Sequence, residues 1–236
     1  VGLIHSYAFP DHERVIREIL SEELPGVTIC LSSDVCPEIR EYERFSTTCA
    51  NAYVRPLMSG YLLRFQDMLN ERGMVCPLYL MMSGGGLTTL NNAVKYPIRI
   101  VESGPAGGAI LGGHVAQECG LDEALSFDMG GTTAKICLIQ DGTPERSRSL
   151  EVARIYRDLK GSGLPIRIPV IEMVEIGAGG GSIAEVDEMG RITVGPASAG
   201  SEPGPACYDQ GGNHATVTDA NLALGKLDPN KFAGGK

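Results

Sequence analysis

Apolar residues recur at helical spacing early in the chain: Val15, Ile16, Ile19 and Leu20 predict a helix over 10–24, stopped by Pro25-Gly26. A short apolar run before it, 2–7, reads as a strand, and the β-branched run 27–31 (VTICL) reads as another. A long helix is predicted over 46–72, with Pro56 as a kink or break. Residues 78–82 then form a strand that runs into Ser83-Gly84-Gly85-Gly86. Strand, helix, strand, helix, strand is an α/β order, and it predicts some parallel pairing.

Further along, 96–101 reads as extended and ESGPAGGAILGGHVAQECG as a helix, since Ser103 can cap it and Pro105 suits its first turn. Each glycine inside such a helix costs about 1 kcal/mol against alanine. These small residues suit either a tightly packed core helix or the close approach of another backbone or a ligand. A hairpin is expected next, with strands 124–129 and 133–140 about Gly130-Gly131. Residues 170–176 form a strand, 177–181 a glycine run, and 183–187 with 191–194 a second hairpin about Glu188-Met189-Gly190. The stretch GPASAGSEPGPACYDQGG, 195–212, is too long for a passive connector, and a short helix over 219–227 follows it.

With 236 residues and 43% hydrophobic content, the chain can bury a sizeable core in one large domain or two small ones. A net charge of −9 argues against a nucleic-acid partner or an anionic membrane surface, either of which wants a basic face. No apolar run reaches the roughly 18–20 residues of a membrane span. The opening VGLIHSYAFP lacks an initiator Met and the basic region of a signal peptide, so a piece of a longer protein is expected. Seven cysteines, at 30, 36, 49, 76, 119, 137 and 207, are scattered with no CxxC pair. That spacing disfavours a zinc site or a disulfide framework and predicts a cytoplasmic protein with reduced thiols.

Common nucleotide and hydrolase motifs fail in turn. G-x-x-x-x-G-K-[ST] is absent, since Gly225-Lys226 lacks the upstream glycine and the hydroxyl. GAGGGS at 177–182 begins as G-x-G but carries Ser182 at the third glycine position and precedes a hairpin, which is the wrong context for a dinucleotide. No G-x-S-x-G surrounds Ser83, Ser103 or Ser198, and the four histidines show no triad pattern. What remains is SFDMGGTTAK, residues 126–135. A strand delivers Asp128, two glycines permit positive φ, and successive bare N–H groups in such a turn form an anion-binding nest. Thr132 and Thr133 add hydroxyls, and Lys135 adds a cation if it turns inward. An aspartate beside bound phosphate suits hydrated Mg²⁺. The alternative is a plain Gly-Gly hairpin with a solvated aspartate, and the residues alone leave both readings open.

The run from ESGPAGG through FDMGGTTAKICLIQDG resembles the centre of an actin-like ATPase, where a linking helix with a Glu at its start precedes a D-x-G-G-T hairpin. A narrower resemblance rests on LIHSYAFPDHE, EIREYERFSTTCANAYVRP, SGGGL, VESGPAGG, FDMGGTTAK, GAGGGSIA, VGPASAGSEPGPACYDQGG and TVTDANLALGKL. Together, and in this order, these blocks are similar to the hydantoinase A/5-oxoprolinase family. That family includes ATP-dependent N-methylhydantoinase, 5-oxoprolinase and acetone-carboxylase-type β subunits.

The resemblance implies an α/β fold of the actin-like, ribonuclease-H-like ATPase type, present in part. Residues 1–102 would be the rear of a first lobe, and 103–236 the linking helix and front of a second. It implies ATP and Mg²⁺ as cofactors, Asp128 and Glu102 as catalytic groups, and Asp128 as the residue near the metal. Glu102 would sit near the catalytic water or metal. Gly130, Gly131, Thr132, Thr133 and Lys135 would face the phosphates, and Gly104 and Gly107 would let the lobes approach. Gly179, Gly180, Gly181 and Ser182, like the 195–212 loop, are candidates for nucleotide or substrate contact, with a structural turn as the equal alternative.

The implied activity is ATP-dependent opening of a cyclic amide such as 5-oxoproline or a hydantoin, with the amide oxygen taking the γ-phosphoryl group before water attacks. A carboxylase subunit that phosphorylates a ketone enol or bicarbonate is the alternative within the family. An actin-like chaperone or regulatory module is the alternative outside it. Implied partners are a small cyclic-amide substrate, a hydantoinase B-type domain or subunit, and further copies in an oligomer. The family pattern also has a first D-x-G-G-T loop and an adenine pocket that this sequence does not hold, so the chain alone is expected not to turn over ATP.

Overall fold

A computed structural model describes residues 1–156, 159 and 161–231 as a mixed α/β protein. Arg157, Asp158, Lys160 and 232–236, all inside the predicted 103–236 segment, lie outside the described residues. The chain divides into two units, Val1–Leu111 with Pro144–Glu172, and Gly112–Thr143 with Met173–Lys236. No helix among the described residues is long and apolar enough to cross a membrane.

In the first unit, α1 (Asp11–Glu23) starts with Asp11 and Glu13, whose carboxylates suit the positive end of the helix dipole. Its expected apolar stripe is only partly inside. Val15 is 51% and Ile19 53% exposed, while the buried residue of the helix is Glu13. The Glu13 carboxylate accepts from the Ser32 hydroxyl (2.6 Å) and from the N–H groups of Leu3 (2.8 Å) and Ser33 (2.9 Å). Burial pushes its pKa up, but these hydrogen bonds outweigh it and hold the group at about 2. Ser32 opens the single turn α2 (Ser32–Val35) and also accepts from the fully buried Arg44 at 3.1 Å. The guanidinium of Arg44 reaches on to the carbonyls of Leu3 (2.8 Å) and Glu38 (2.9 Å). This polar knot, rather than a strand pair, organises the start of the chain.

The expected strands 2–7 and 27–31 do not form. Residues 4–8 are turns, with Ala8 N–H and Phe9 N–H donating to the His5 carbonyl. Without a partner strand, 27–31 has its carbonyls met singly, Cys30 by the Val1 nitrogen (2.7 Å) and Ile29 by Arg55 (3.2 Å). Helix α3 (Glu41–Glu71) starts earlier than expected and passes Pro56 without a break. The proline removes one helix bond, but buried Asn51 and Leu62 on either side tie the helix to its neighbours. Asn51 bonds the Lys95 carbonyl and the Ile98 N–H, both at 3.3 Å.

A short hairpin, β1 (Tyr79–Met81) and β2 (Leu87–Thr89), uses the Ser83–Gly86 stretch as its turn. Thr89 then caps α4 (Leu90–Lys95), and Pro97–Ile100 is a 3₁₀ turn instead of the extended segment expected. The excursion Pro144–Glu172 folds back on this unit. Its Ile166, Ile168 and Val170 join Cys30, Val35 and Ile98 in the core, and Arg167 N–H donates to Thr47 at 2.7 Å.

In the second unit, β3 (Glu123–Met129) and β4 (Ala134–Gln140) pair along their full length, and Val174–Ile176 adds on the far side of β4. The predicted 170–176 strand is therefore split, because Val170–Ile171 pairs with Arg146–Ser147 instead. Helix α5 (Ser103–Glu118) contains the division between the units, and its Gly112 lies on the hairpin. A Cβ there would stand 3.2 Å from Ile139 and 3.4 Å from the Ser126 Cβ, so this glycine serves helix-on-sheet packing. Strand alternation leaves Leu125, Phe127 and Met129 on the opposite face, all exposed.

The second expected hairpin is present as Ser182–Val186 paired with Ile192–Ser198. A 3₁₀ turn, Ala206–Tyr208, and helix α6 (Val217–Ala223) follow. The six strand pairs with a defined register among the described residues are all antiparallel, where parallel pairing was expected. Without the first two expected strands, the crossover that would pair them in parallel does not form.

Candidate functional site

The DMGGTT turn is closed by Gly130 N–H donating to the Thr133 carbonyl at 2.9 Å. Gly130, Gly131 and Thr132 are exposed, as is Asp128 two residues before the turn. The glycine run seen as a motif of unassigned role lies directly against this turn. Gly180 N–H donates to the Gly130 carbonyl at 2.8 Å, and Gly181 N–H to the Gly131 carbonyl at 2.7 Å. A trans peptide group is planar with C=O and N–H opposed. Carbonyls anchored on the glycine run therefore turn the N–H groups of Gly131 and Thr132 the other way. No acceptor among the described residues takes the N–H of Gly131, Thr132 or Thr133.

The contact is too close for side chains. A Cβ on Gly179 would fall 2.6 Å from the Thr132 nitrogen and 2.7 Å from the Gly130 oxygen, and one on Gly181 would fall 3.0 Å from the Gly131 oxygen. Neither glycine has a left-handed φ, so proximity rather than backbone conformation demands them. Ser182 is buried and its hydroxyl accepts from Gly179 N–H at 2.8 Å, closing the run on itself.

Lys135 lies opposite Asp128 in the β3–β4 register and opposite Glu175 in the pairing of β4 with Val174–Ile176. The three form one cross-strand row of alternating charge on one sheet face. Glu102 belongs to the first unit, has φ 58° and accepts from Ala106 N–H at 3.2 Å. A Cβ on Gly104 would meet nothing within 4 Å, and on Gly107 it would meet Met81 at 3.8 Å. Thus Asp128, Gly130–Thr133, Lys135 and Gly179–Ser182 are brought together in the second unit, and Glu102 is placed in the first.

Sequence reasoning missed the residues behind the glycine run. Thr216 and Asp219 form a capping box at the start of α6. The Asp219 carboxylate accepts from Thr216 N–H (2.7 Å), the Thr216 hydroxyl (2.7 Å) and Cys207 N–H (2.7 Å). Burial pushes the Asp219 pKa up, and the Cys207 thiol, the Thr216 hydroxyl and those N–H groups bring it down to about 2. Between the two, Thr218 donates both its N–H and its hydroxyl to the Gly180 carbonyl, each at 2.8 Å. The T-x-x-D spacing was the available signal, but the predicted helix began at 219 and so excluded its own cap.

No group of three or more His, Cys, Asp or Glu gathers to hold a metal among the described residues. Magnesium held by one or two carboxylates plus water and phosphate needs no larger protein cage, so a single exposed aspartate beside this turn does not conflict with that ion.

The family model described as hydantoinase/oxoprolinase matches residues 44–236. The caprolactamase subunit alpha of Pseudomonas jessenii is 40% identical over 235 residues, covering all of this chain and 32% of that protein. A solved structure of nucleotide-free acetone carboxylase, from work on ATP-dependent acetone carboxylation, covers 99% of this chain and 32% of its own at 29% identity and a TM-score of 0.77. The crystal structure of ATP-dependent caprolactamase from Pseudomonas jessenii covers all of this chain and 33% of its own at 38% identity and a TM-score of 0.71. The chain spans about a third of the length of these relatives. With the family model matching most of its length and its motifs in order, the chain belongs to the hydantoinase/oxoprolinase family.

Proposed function

We propose that this chain is part of an ATP-dependent enzyme that opens a cyclic amide, and that it contributes the turn holding the phosphates of Mg·ATP. One observation carries the reading: the carbonyls of Gly130 and Gly131 are anchored by Gly180 and Gly181, which turns the intervening N–H groups outward on an exposed loop. Preorganised N–H donors stabilise an anion without reorganisation at the moment of reaction. Thr132 and Thr133 add hydroxyl donors. Asp128 would hold the hydrated Mg²⁺, and Lys135 lies beside it in the cross-strand row. Glu102 is the proposed group that orients the attacking water. Gly179–Ser182 act as the backing of the turn.

ATP supplies a phosphoryl group to the amide oxygen, which converts a poor electrophile into one that water can attack; the chain's own task is positioning and charge stabilisation. A lactam, an oxoproline and a hydantoin are all cyclic amides, and the names of the family and of the caprolactamase relatives converge on that class. An actin-like fold is part of this reading, with 1–102 and 103–236 as pieces of two lobes. So are a cytoplasmic setting, an oligomer and a hydantoinase B-type partner, the last in keeping with a relative named as a subunit. A carboxylase subunit is the second reading, favoured by the higher TM-score of the acetone carboxylase structure.

The test is ATP hydrolysis by the full-length polypeptide containing this chain, with 5-oxoproline, hydantoin, caprolactam, or acetone plus bicarbonate. Stimulation by a cyclic amide, abolished by Asp128→Asn, is the expected result. Stimulation by acetone plus bicarbonate alone selects the carboxylase reading, and stimulation by none rejects both.

A further inference from the structure

The peptide group joining Gly180 and Gly181 is gripped at both ends. Its carbonyl takes the N–H and the hydroxyl of Thr218, and its N–H donates to the Gly131 carbonyl at 2.7 Å. That carbonyl belongs in turn to the peptide group whose other end is the N–H of Thr132. Two planar groups in series thus link a threonine on α6 to an N–H of the exposed turn, and hydrogen bonds in such a chain polarise one another.

Thr218 is only 7% exposed, and a Cβ on Gly180 would stand 2.7 Å from its hydroxyl oxygen. Its N–H is a first-turn donor with no partner inside its own helix. The capping box fixes where α6 begins, and with it where that donor points. The Asp219 carboxylate holds both Thr216 and Cys207, so the box is pinned to the 3₁₀ turn as well as to the helix.

We infer that Thr218 is a positioning residue for the phosphate turn, acting through the Gly180–Gly181 peptide to set the direction of the Gly131 carbonyl and Thr132 N–H. The inference rests on the phosphate reading of that turn. Its role is to tune how well the turn is aimed.

The experiment is titration of the full-length polypeptide with Mg·ATP. Thr218→Val keeps the shape and the backbone donor but loses the hydroxyl, and it is expected to weaken binding about fivefold, the value of one ordinary hydrogen bond. Thr218→Ser keeps both donors and is expected to bind within about twofold of the wild type. A merely structural role for the threonine methyl would predict the reverse order. Wild-type binding by Thr218→Val, or equal weakening in both variants, overturns the relay alone. Absence of Mg·ATP binding by the wild type overturns the phosphate reading and the relay with it. If Thr218→Val does not fold, folded Thr218→Ser still decides, since weakening beyond about twofold there contradicts the inference.

Discussion

Gly179 packs against the backbone of Thr132 so closely that an added Cβ would lie 2.6 Å from the Thr132 nitrogen. Both partners are backbone, and the Gly130 oxygen 2.7 Å away is backbone too, so no flexible side chain can yield. Gly179→Ala is therefore expected to cost about 1–3 kcal/mol of stability and to weaken Mg·ATP binding by the full-length polypeptide. Gly108→Ala makes the contrast. That position lies inside α5, and a Cβ there would meet nothing within 4 Å. It should stabilise the chain by about 0.5–1 kcal/mol. Urea unfolding of the two variants beside the wild type checks both signs.

Glu13 predicts how stability responds to acid. Its pKa is held at about 2, below the ordinary 4.5, so the unfolded chain binds its proton first. Its contribution is complete above pH 4.5 and is lost as the pH falls through about 2. The shift corresponds to about 3 kcal/mol. Glu13→Gln should be less stable at pH 7 and should flatten the fall between pH 5 and pH 2. Denaturant midpoints against pH, for both proteins, give the comparison.

The two hairpins and α1 were legible in the sequence because their signals are local, apolar alternation around glycine turns in one case and helical spacing in the other. The candidate turn was legible for the same reason. The expected strands 2–7 and 27–31 were not, because apolar composition cannot show whether a partner strand exists. Glu13, Ser32 and Arg44 took the organising role there through hydrogen bonds between distant positions. Likewise GAGGGS left nucleotide or substrate contact and a structural turn as equal readings, because what it packs against is not local. Its contact with Gly130 and Gly131 is a tertiary fact. Thr218 was hidden by a different error, a helix start placed on the residue that completes its own cap.

Cys207 should be the slowest of the exposed cysteines to alkylate. Burial of the thiol, with Asp219 as its acceptor and neighbouring charge, pushes its pKa up to about 11. Against an ordinary thiol the reactive thiolate is then depleted roughly a hundredfold. Iodoacetamide labelling at pH 8, followed by peptide mass, should show Cys49, Cys76 and Cys119 modified well before it. Asp219→Asn should accelerate Cys207 and leave the other three unchanged.

Leu125, Phe127 and Val174 share one sheet face and are 67%, 59% and 65% exposed. An apolar face of this kind binds hydrophobic dyes. The isolated chain is expected to enhance the fluorescence of such a dye, and Phe127→Thr to reduce that signal. Threonine keeps strand propensity, so the unfolding free energy should change by less than about 0.5 kcal/mol. A dye signal unchanged by the substitution would place the binding surface elsewhere.

The anchoring of the turn has a consequence for the order in which the molecule is made. The DMGGTT hairpin closes on itself as soon as its own residues exist, yet the amides that hold its carbonyls come from the later glycine run. The Gly181 amide is fixed in turn by Thr218, 38 residues beyond Gly180. During synthesis the hairpin therefore leaves the ribosome with its shape but without its aim. A chain stopped before Thr218 would carry every residue of the motif and still lack the grip that orients it.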